Sequence, residues 1–175
     1  MEYIPNTISI DALKKRLGGG TKTLYQIYKQ IFERSFEEAQ KNFIESLAAY
    51  SLFTYFMNVK DRHNGNLLIE NSGRLIHIDF GFVLGCSPGN INFETAPFKL
   101  TQEYVELMKG KDSDFFGYFR TLLIRGMFEL KKYVNDLQYS LLIMRENSDL
   151  PCFKNFDFKA WRSRFMEGAT DKEVK

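Results

Sequence analysis

Between Leu67 and Ile78 the chain reads Leu67-Leu68-Ile69-Glu70, then the polar stretch Asn71-Ser72-Gly73-Arg74, then Leu75-Ile76-His77-Ile78. Two short apolar runs around an Asn-Ser-Gly punctuation predict strand, turn and strand, a hairpin whose two open ends lie side by side. Elsewhere the apolar positions keep a helical period. From Ser35 to about Val59, Phe43, Leu47, Tyr50 and Met57 recur on one face while Ile44, Ala48, Leu52, Phe53 and Phe56 fill the adjacent ones. A helix that is apolar on most sides is a buried one. Further helical patterns run from Thr101 to Met108, from about Asp114 to Val134 and from about Leu137 to Arg145, with breaks at Gly110 and between Asn147 and Pro151. Phe158, Trp161 and Phe165 share a helical face with basic neighbours, which fits either a terminal helix packed on the body or a helix lying at a membrane interface. Residues 1–11 read as an extended piece with a Pro5-Asn6 turn, and Asp11 is placed to cap a short helix that Gly18-Gly19-Gly20 ends. The fold class is therefore mostly α with a small β-hairpin.

Composition narrows the classes without choosing one. A chain of 175 residues with 44% hydrophobic and 15% aromatic residues, seventeen of them Phe, has the material for a packed core. A net charge of +2 provides no polycationic field for nucleic acid, so no nucleic-acid partner is expected. Cys86 and Cys152 have neither metal-ligand spacing nor a CxxC partner and are expected to be reduced thiols. No run of 18 apolar residues exists, so any membrane contact is expected to be peripheral. Gly18 to Thr23 resembles a phosphate loop only superficially: Lys22 follows a Thr, the four-residue spacer is missing and no strand precedes it.

The chemistry gathers at the two ends of the hairpin. Asp61-Arg62-His63-Asn64-Gly65-Asn66 leads into it, His77-Ile78-Asp79-Phe80-Gly81 leads out, and Asn66 and Asp79 are thirteen residues apart. Folding the hairpin brings the Asn66 amide beside the Asp79 carboxylate, two hard oxygen donors of the kind Mg²⁺ accepts. Asp61 precedes Asn66 by five residues, the separation that protein kinases keep between their catalytic Asp and their metal-binding Asn. Phosphoryl transfer asks a protein mainly to place Mg²⁺ on phosphates and to orient the attacking hydroxyl, so this constellation points to ATP and Mg²⁺. Asp61 and His63 compete for the proton-accepting role; an imidazole, with an ordinary pKa of about 6.5, suits neutral pH better. His63 is favoured as acceptor, with Asp61 orienting the hydroxyl or the imidazole. His77 stands two residues before Asp79, and strand alternation predicts that both point to one face. Arg62 is expected to brace carbonyls or a carboxylate. Leu68 and Ile78 are the candidate apolar floor beneath adenine.

The string Val59-Lys60-Asp61-Arg62-His63-Asn64-Gly65-Asn66, the extended His77-Ile78-Asp79-Phe80-Gly81, Phe93-Glu94-Thr95 with Phe98-Lys99-Leu100-Thr101, and Leu150-Pro151-Cys152-Phe153 resemble the phosphatidylinositol 3/4-kinase superfamily over essentially the whole chain, most closely the type III phosphatidylinositol 4-kinases of the beta form. The resemblance implies the carboxy-terminal lobe of a kinase-like α+β fold, with residues 1–175 forming part of a catalytic domain. A hinge falls at about 1–10, the catalytic loop at 60–66, the metal-binding motif at 77–81, an activation loop at 82–99 and a helical remainder at 100–175. The backbone of Glu2, Tyr3 and Ile4 would then face adenine, and His77 would touch the transferring phosphate or be held structurally. The glycine-rich loop and strand lysine that kinases use are not found in this sequence. The amino-terminal lobe and the last carboxy-terminal helix are therefore expected outside the chain, and the chain alone is expected to be inactive.

Charge bears on the substrate. From Leu75 to Phe98 lie 24 residues without Lys or Arg, where the overall frequency gives about three. Related kinases that act on already phosphorylated inositol lipids carry cations there, as attraction to added phosphates requires. A neutral segment with Ser87, Asn90, Asn92 and Thr95 fits plain phosphatidylinositol in a membrane; choice of the inositol 4-hydroxyl, giving phosphatidylinositol 4-phosphate, is implied by the resemblance alone. The resemblance also implies a cytoplasmic enzyme, peripheral on endomembranes and most readily the Golgi, with small GTPases and adaptors engaging regions outside this chain. The alternatives are a phosphatidylinositol 3-kinase or related protein kinase, and a truncated non-catalytic paralogue acting as a binding module.

Overall fold

The computed structural model describes residues 3–19, 21–87, 95–154 and 156–168. They fall into two compact units, the first made of Met1–Tyr50, Arg62–Asp79 and Lys99–Arg120, the second of Ser51–Asp61, Phe80–Phe98 and Thr121–Lys175.

The first unit is built on an antiparallel sheet in the order β1 (Thr7–Ser9), β2 (Leu67–Glu70), β3 (Leu75–His77). The hairpin forms at the expected place, with Leu67 opposite His77, Leu68 opposite Ile76 and Ile69 opposite Leu75. The extended amino-terminal piece adds a third strand, Thr7 pairing with Glu70 and Ser9 with Leu68. Helix α1 (Ile10–Leu17) begins one residue later, and its cap is Ser9, whose hydroxyl accepts from the Ala12 N–H, not Asp11, which sits in the first turn. Gly18 ends it. Thr23 then caps α2 (Leu24–Ile31), an element the apolar pattern did not announce, through a reciprocal capping box with Gln26. Gly18 and Gly19 thus follow the end of a helix and are not part of a phosphate loop.

Helix α3 (Phe36–Met57) carries the long apolar pattern. Its portion in the first unit buries Phe43, Ile44, Leu47 and Ala48, and Phe43 meets Tyr28 and Tyr104 edge-on at ring separations of 5.6 and 5.3 Å. Tyr104 belongs to α4 (Gln102–Leu107), which packs on α2. The hairpin turn is bolted to these helices from three sides. The Tyr28 hydroxyl donates to the Gly73 carbonyl at 3.0 Å, the Asn42 amide to the Ser72 carbonyl at 2.9 Å, and the Leu75 N–H to the Ser46 hydroxyl at 2.9 Å.

Burial, reinforced by the neighbouring Tyr104, raises the Tyr28 hydroxyl well above its ordinary pKa, and burial followed by Glu103 raises Tyr104. Unfolded tyrosines ionise near pH ~10 while these two keep their protons, so above that pH the folded state binds more protons and stability falls as pH rises. The urea midpoint is expected to drop between about pH 9 and about pH 11, and Tyr28→Phe to flatten that slope after an initial loss of about 1 kcal/mol for the hydrogen bond. An identical slope in the variant would show that Tyr28 does not carry the effect.

The second unit centres on Phe56, Leu84, Val134, Leu141, Phe153, Trp161 and Phe165. It contains most of α5 (Asp114–Lys131) and all of α6 (Val134–Arg145), α7 (Pro151–Lys154) and α8 (Phe158–Ser163). Phe165 stacks on Phe56 at 4.3 Å and meets Trp161 at 4.8 Å, so of the two roles open to this aromatic face, packing on the body is the one realised. Phe53, expected in the core, is half exposed against Phe80. Both cysteines are free and border one cavity of about 280 Å³. Among the described residues no helix is long and apolar enough to cross a membrane.

Candidate active site

The segment 60–66 is held by its own backbone and by two cations. After α3, the Lys60 N–H donates to the Phe82 carbonyl at 2.9 Å and the Leu84 N–H to the Met57 carbonyl at 2.7 Å, which ties the end of α3 to the stretch after Gly81 within the second unit. Asp61, half-buried, has a φ of 63°, an unusual conformation for a residue with a side chain. The structure assigns Asp61 to the second unit, and His63, Asn66, His77 and Asp79 to the first.

Within the first unit these four lie about the open end of the hairpin. Arg62 is buried to 3% exposure, and its guanidinium donates to the Ile78 carbonyl at 2.8 Å and to the Asp79 carbonyl. The expected bracing role is what the planar, multi-donor guanidinium does here. His63 caps a 3₁₀ turn over Asn64–Asn66, its Nδ1 accepting from the Gly65 N–H at 3.0 Å, while the ring stays exposed. A Cβ on Gly65 would stand 2.8 Å from the His63 ring, so a side chain there would displace the imidazole. The Asn66 carbonyl accepts from the Ile78 N–H at 3.0 Å, which extends the hairpin ladder by one step and sets Asn66 beside the Ile78-Asp79 corner.

At that corner strand geometry stops. β3 ends at His77, and Asp79 takes a φ of 59° and is exposed, whereas His77 is buried to 6%. Strand alternation therefore does not extend to Asp79, and the expectation that both side chains share a face for that reason is corrected: the left-handed residue turns the chain out of the sheet. His77 instead stacks on Tyr50 of α3, ring centroids 4.3 Å apart and planes within 10°. Its pKa is lowered to about 3, first by burial and then by the positive charges of Arg62 and Lys99, and its buried Nδ1 has no hydrogen-bond partner among the described residues. It is a neutral imidazole.

Leu68 and Ile76 face each other across β2 and β3, half-buried, on the side of the sheet opposite the buried Leu67, Ile69 and Leu75, and Ile78, just past the strand, is half-buried as well. This is an apolar surface at the same end as Asn66. Tyr3, 84% exposed, instead lines a hollow with Ile8, Phe32 and Ile69, Ile4 is half-buried nearby in the chain, and Glu2 lies outside the described residues. Asn90 and Asn92 of the uncharged segment also lie outside them.

Lys99 was read in the sequence as the end of the uncharged run and as part of the Phe98-Lys99-Leu100-Thr101 string, with no role assigned to its side chain. Its ammonium donates to the Arg62 carbonyl at 2.9 Å and to the Asn64 side-chain oxygen at 2.8 Å. No sequence signal joins positions 37 residues apart, although a lone Lys after so long a neutral stretch marks the place to look.

An amide oxygen and a carboxylate at one end of a braced hairpin fit Mg²⁺, which favours hard oxygen donors and takes few of them from protein. Among the described residues no group of three or more His, Cys, Asp or Glu is placed to hold a metal ion.

A family profile described as "Phosphatidylinositol 3- and 4-kinase" matches residues 16–154. The chain is similar to a phosphatidylinositol 4-kinase of Dictyostelium discoideum, 48% identical over 87% of this chain and 13% of that protein. It is also similar to phosphatidylinositol 4-kinase beta 2 of Arabidopsis thaliana, 46% identical over 99% of this chain and 16% of that protein, and to phosphatidylinositol 4-kinase beta of Sorex araneus, 38% identical over 99% and 22%. The chain thus spans between 13% and 22% of the length of these relatives.

Proposed function

The chain belongs to the phosphatidylinositol 3- and 4-kinase family, and on that premise we propose that it forms the metal-holding and proton-handling part of an enzyme that transfers the γ-phosphate of ATP to the inositol 4-hydroxyl of phosphatidylinositol. The observation that supports this reading most is the hydrogen bond from the Ile78 N–H to the Asn66 backbone carbonyl, which keeps Asn66 next to the Ile78-Asp79 corner along the hairpin ladder.

In this reading Asn66 and Asp79 would hold Mg²⁺, which when bound neutralises charge on the phosphates. His63, exposed at the turn and oriented through its Nδ1 bond to Gly65, accepts the proton of the attacking hydroxyl at its other ring nitrogen. Asp61 orients the hydroxyl or the imidazole, a role that rests on its spacing from Asn66. Neutral His77 is held by Tyr50 as a polar group near the transferring phosphate, and Leu68, Ile76 and Ile78 supply a surface for the adenine ring. The division of residues 1–175 into hinge, catalytic loop, metal motif, activation loop and helical remainder belongs to the same proposal, as does action at cytosolic faces of endomembranes such as the Golgi.

The test is direct. The gene is expressed with its native upstream region, given MgATP and phosphatidylinositol vesicles, and the lipid product identified by position. Phosphatidylinositol 4-phosphate is expected; no phosphorylated lipid, or only the 3-phosphate, would defeat the proposal.

The substrate's charge state follows from the run of 24 residues without a cation. Ser87→Lys combined with Thr95→Lys is expected to raise use of phosphatidylinositol 4-phosphate relative to phosphatidylinositol by about tenfold, the scale of one to two kcal/mol that two partly screened charges supply. An unchanged ratio of kcat/KM values would remove the electrostatic account.

A further inference from the structure

We propose that Lys99 is a positioning residue for the catalytic loop, clamping the turn that presents His63; its catalytic consequence rests on the function proposed above. The two oxygens that receive its ammonium, the Arg62 carbonyl and the Asn64 Oδ1, flank His63 on either side, at 2.9 and 2.8 Å. A charged donor makes shorter and stronger bonds than a neutral one, and these are half-buried and so little weakened by solvent.

The clamp has a rigid base. Two residues after Lys99, Thr101 caps α4, its hydroxyl accepting from the Tyr104 N–H, and α4 buries Tyr104, Val105 and Leu107. From the other side the Arg62 guanidinium grips the Ile78 and Asp79 carbonyls. Arg62 is therefore held at both ends, its side chain fixed to the metal corner and its carbonyl fixed to Lys99. A loop entered through a left-handed Asp61 persists only where its surroundings over-determine it, and this pair of cations does so for the first unit's share of the loop. The ammonium of the lysine that closes the uncharged run is thus engaged by the loop.

Two measurements test the proposal. In the protein with its native upstream region, Lys99→Met is expected to speed amide hydrogen exchange over residues 62–66 at least tenfold and leave α5 unchanged, while Lys99→Arg, which keeps a charged donor, restores protection. Unchanged exchange in the Met variant would overturn the clamp whatever the enzyme's substrate. The same Met variant is expected to lose at least tenfold in kcat per nucleotide-binding site with KM for ATP within about threefold, and Lys99→Arg to recover most of it. Faster exchange with unaltered kcat, or a loss shared equally by KM, would overturn the positioning role. Should the unsubstituted enzyme yield no phosphorylated inositol lipid, the proposed function falls and the exchange measurement still decides the clamp.

Discussion

Replacing Asp79 by asparagine in the protein with its native upstream region is expected to lower kcat by about a thousandfold or more, with thermal stability within about 1 kcal/mol of the parent. The substitution isolates charge from backbone. Asp79 adopts a φ of 59°, and asparagine is among the few side-chain-bearing residues that accept that conformation as readily as aspartate. The side chain is exposed, and the amide that replaces its carboxylate has nearly the same shape. What is lost is the one negative charge that the proposed Mg²⁺ site draws from Asp79. Steady-state phosphoryl transfer and a melting curve together check the expectation, and turnover close to that of the parent would overturn the metal assignment. Asp79→Ala is the less informative change, because it adds strain at the same position.

Gly73→Ala is expected to destabilise the first unit by about 2–4 kcal/mol, from steric conflict added to left-handed strain. Gly73 has a φ of 86°, and a Cβ there would stand 2.7 to 2.8 Å from the Cβ, Cα and carbonyl oxygen of Ala39, two of them backbone atoms of α3 that cannot swing aside. Its carbonyl is also the acceptor of the Tyr28 hydroxyl. Moving the turn would move both strands, and with them Asn66 at the start of one and the Ile78-Asp79 corner at the end of the other. Equilibrium urea unfolding measures the loss; a variant within about 0.5 kcal/mol of the parent would mean that turn and helix are not as tightly joined as these distances require.

The elements that local patterning specifies were legible, and those that depend on distant partners were not. The hairpin was readable because Asn71-Ser72-Gly73 punctuates two apolar runs, and α3 because its apolar period extends over six turns. Helix α2 was passed over although Thr23-x-x-Gln26 is a capping signature; the glycines before it drew attention to a loop instead. β1 is three residues long and exists by pairing with residues some sixty positions on, a register no local signal encodes. Around the site, spacing brought Asn66 and Asp79 together in expectation, and the bracing by Arg62 followed from guanidinium chemistry. The turn of the chain at Asp79 was missed because alternation was extended two residues past the end of a strand. Tyr50 was seen as one more apolar helix position, and only the fold shows its ring lying flat on His77.

The chain has a single tryptophan, and Trp161 is buried at 3% exposure among Phe156, Phe158 and Phe165 in the second unit. Its emission is therefore a spectroscopic reporter on that unit alone, blind to melting of the sheet and of the loop that carries His63. Circular dichroism sees the backbone of both. Whether the two optical transitions coincide on titration with denaturant gives a direct reading of how cooperatively the halves of this molecule unfold, with no label attached.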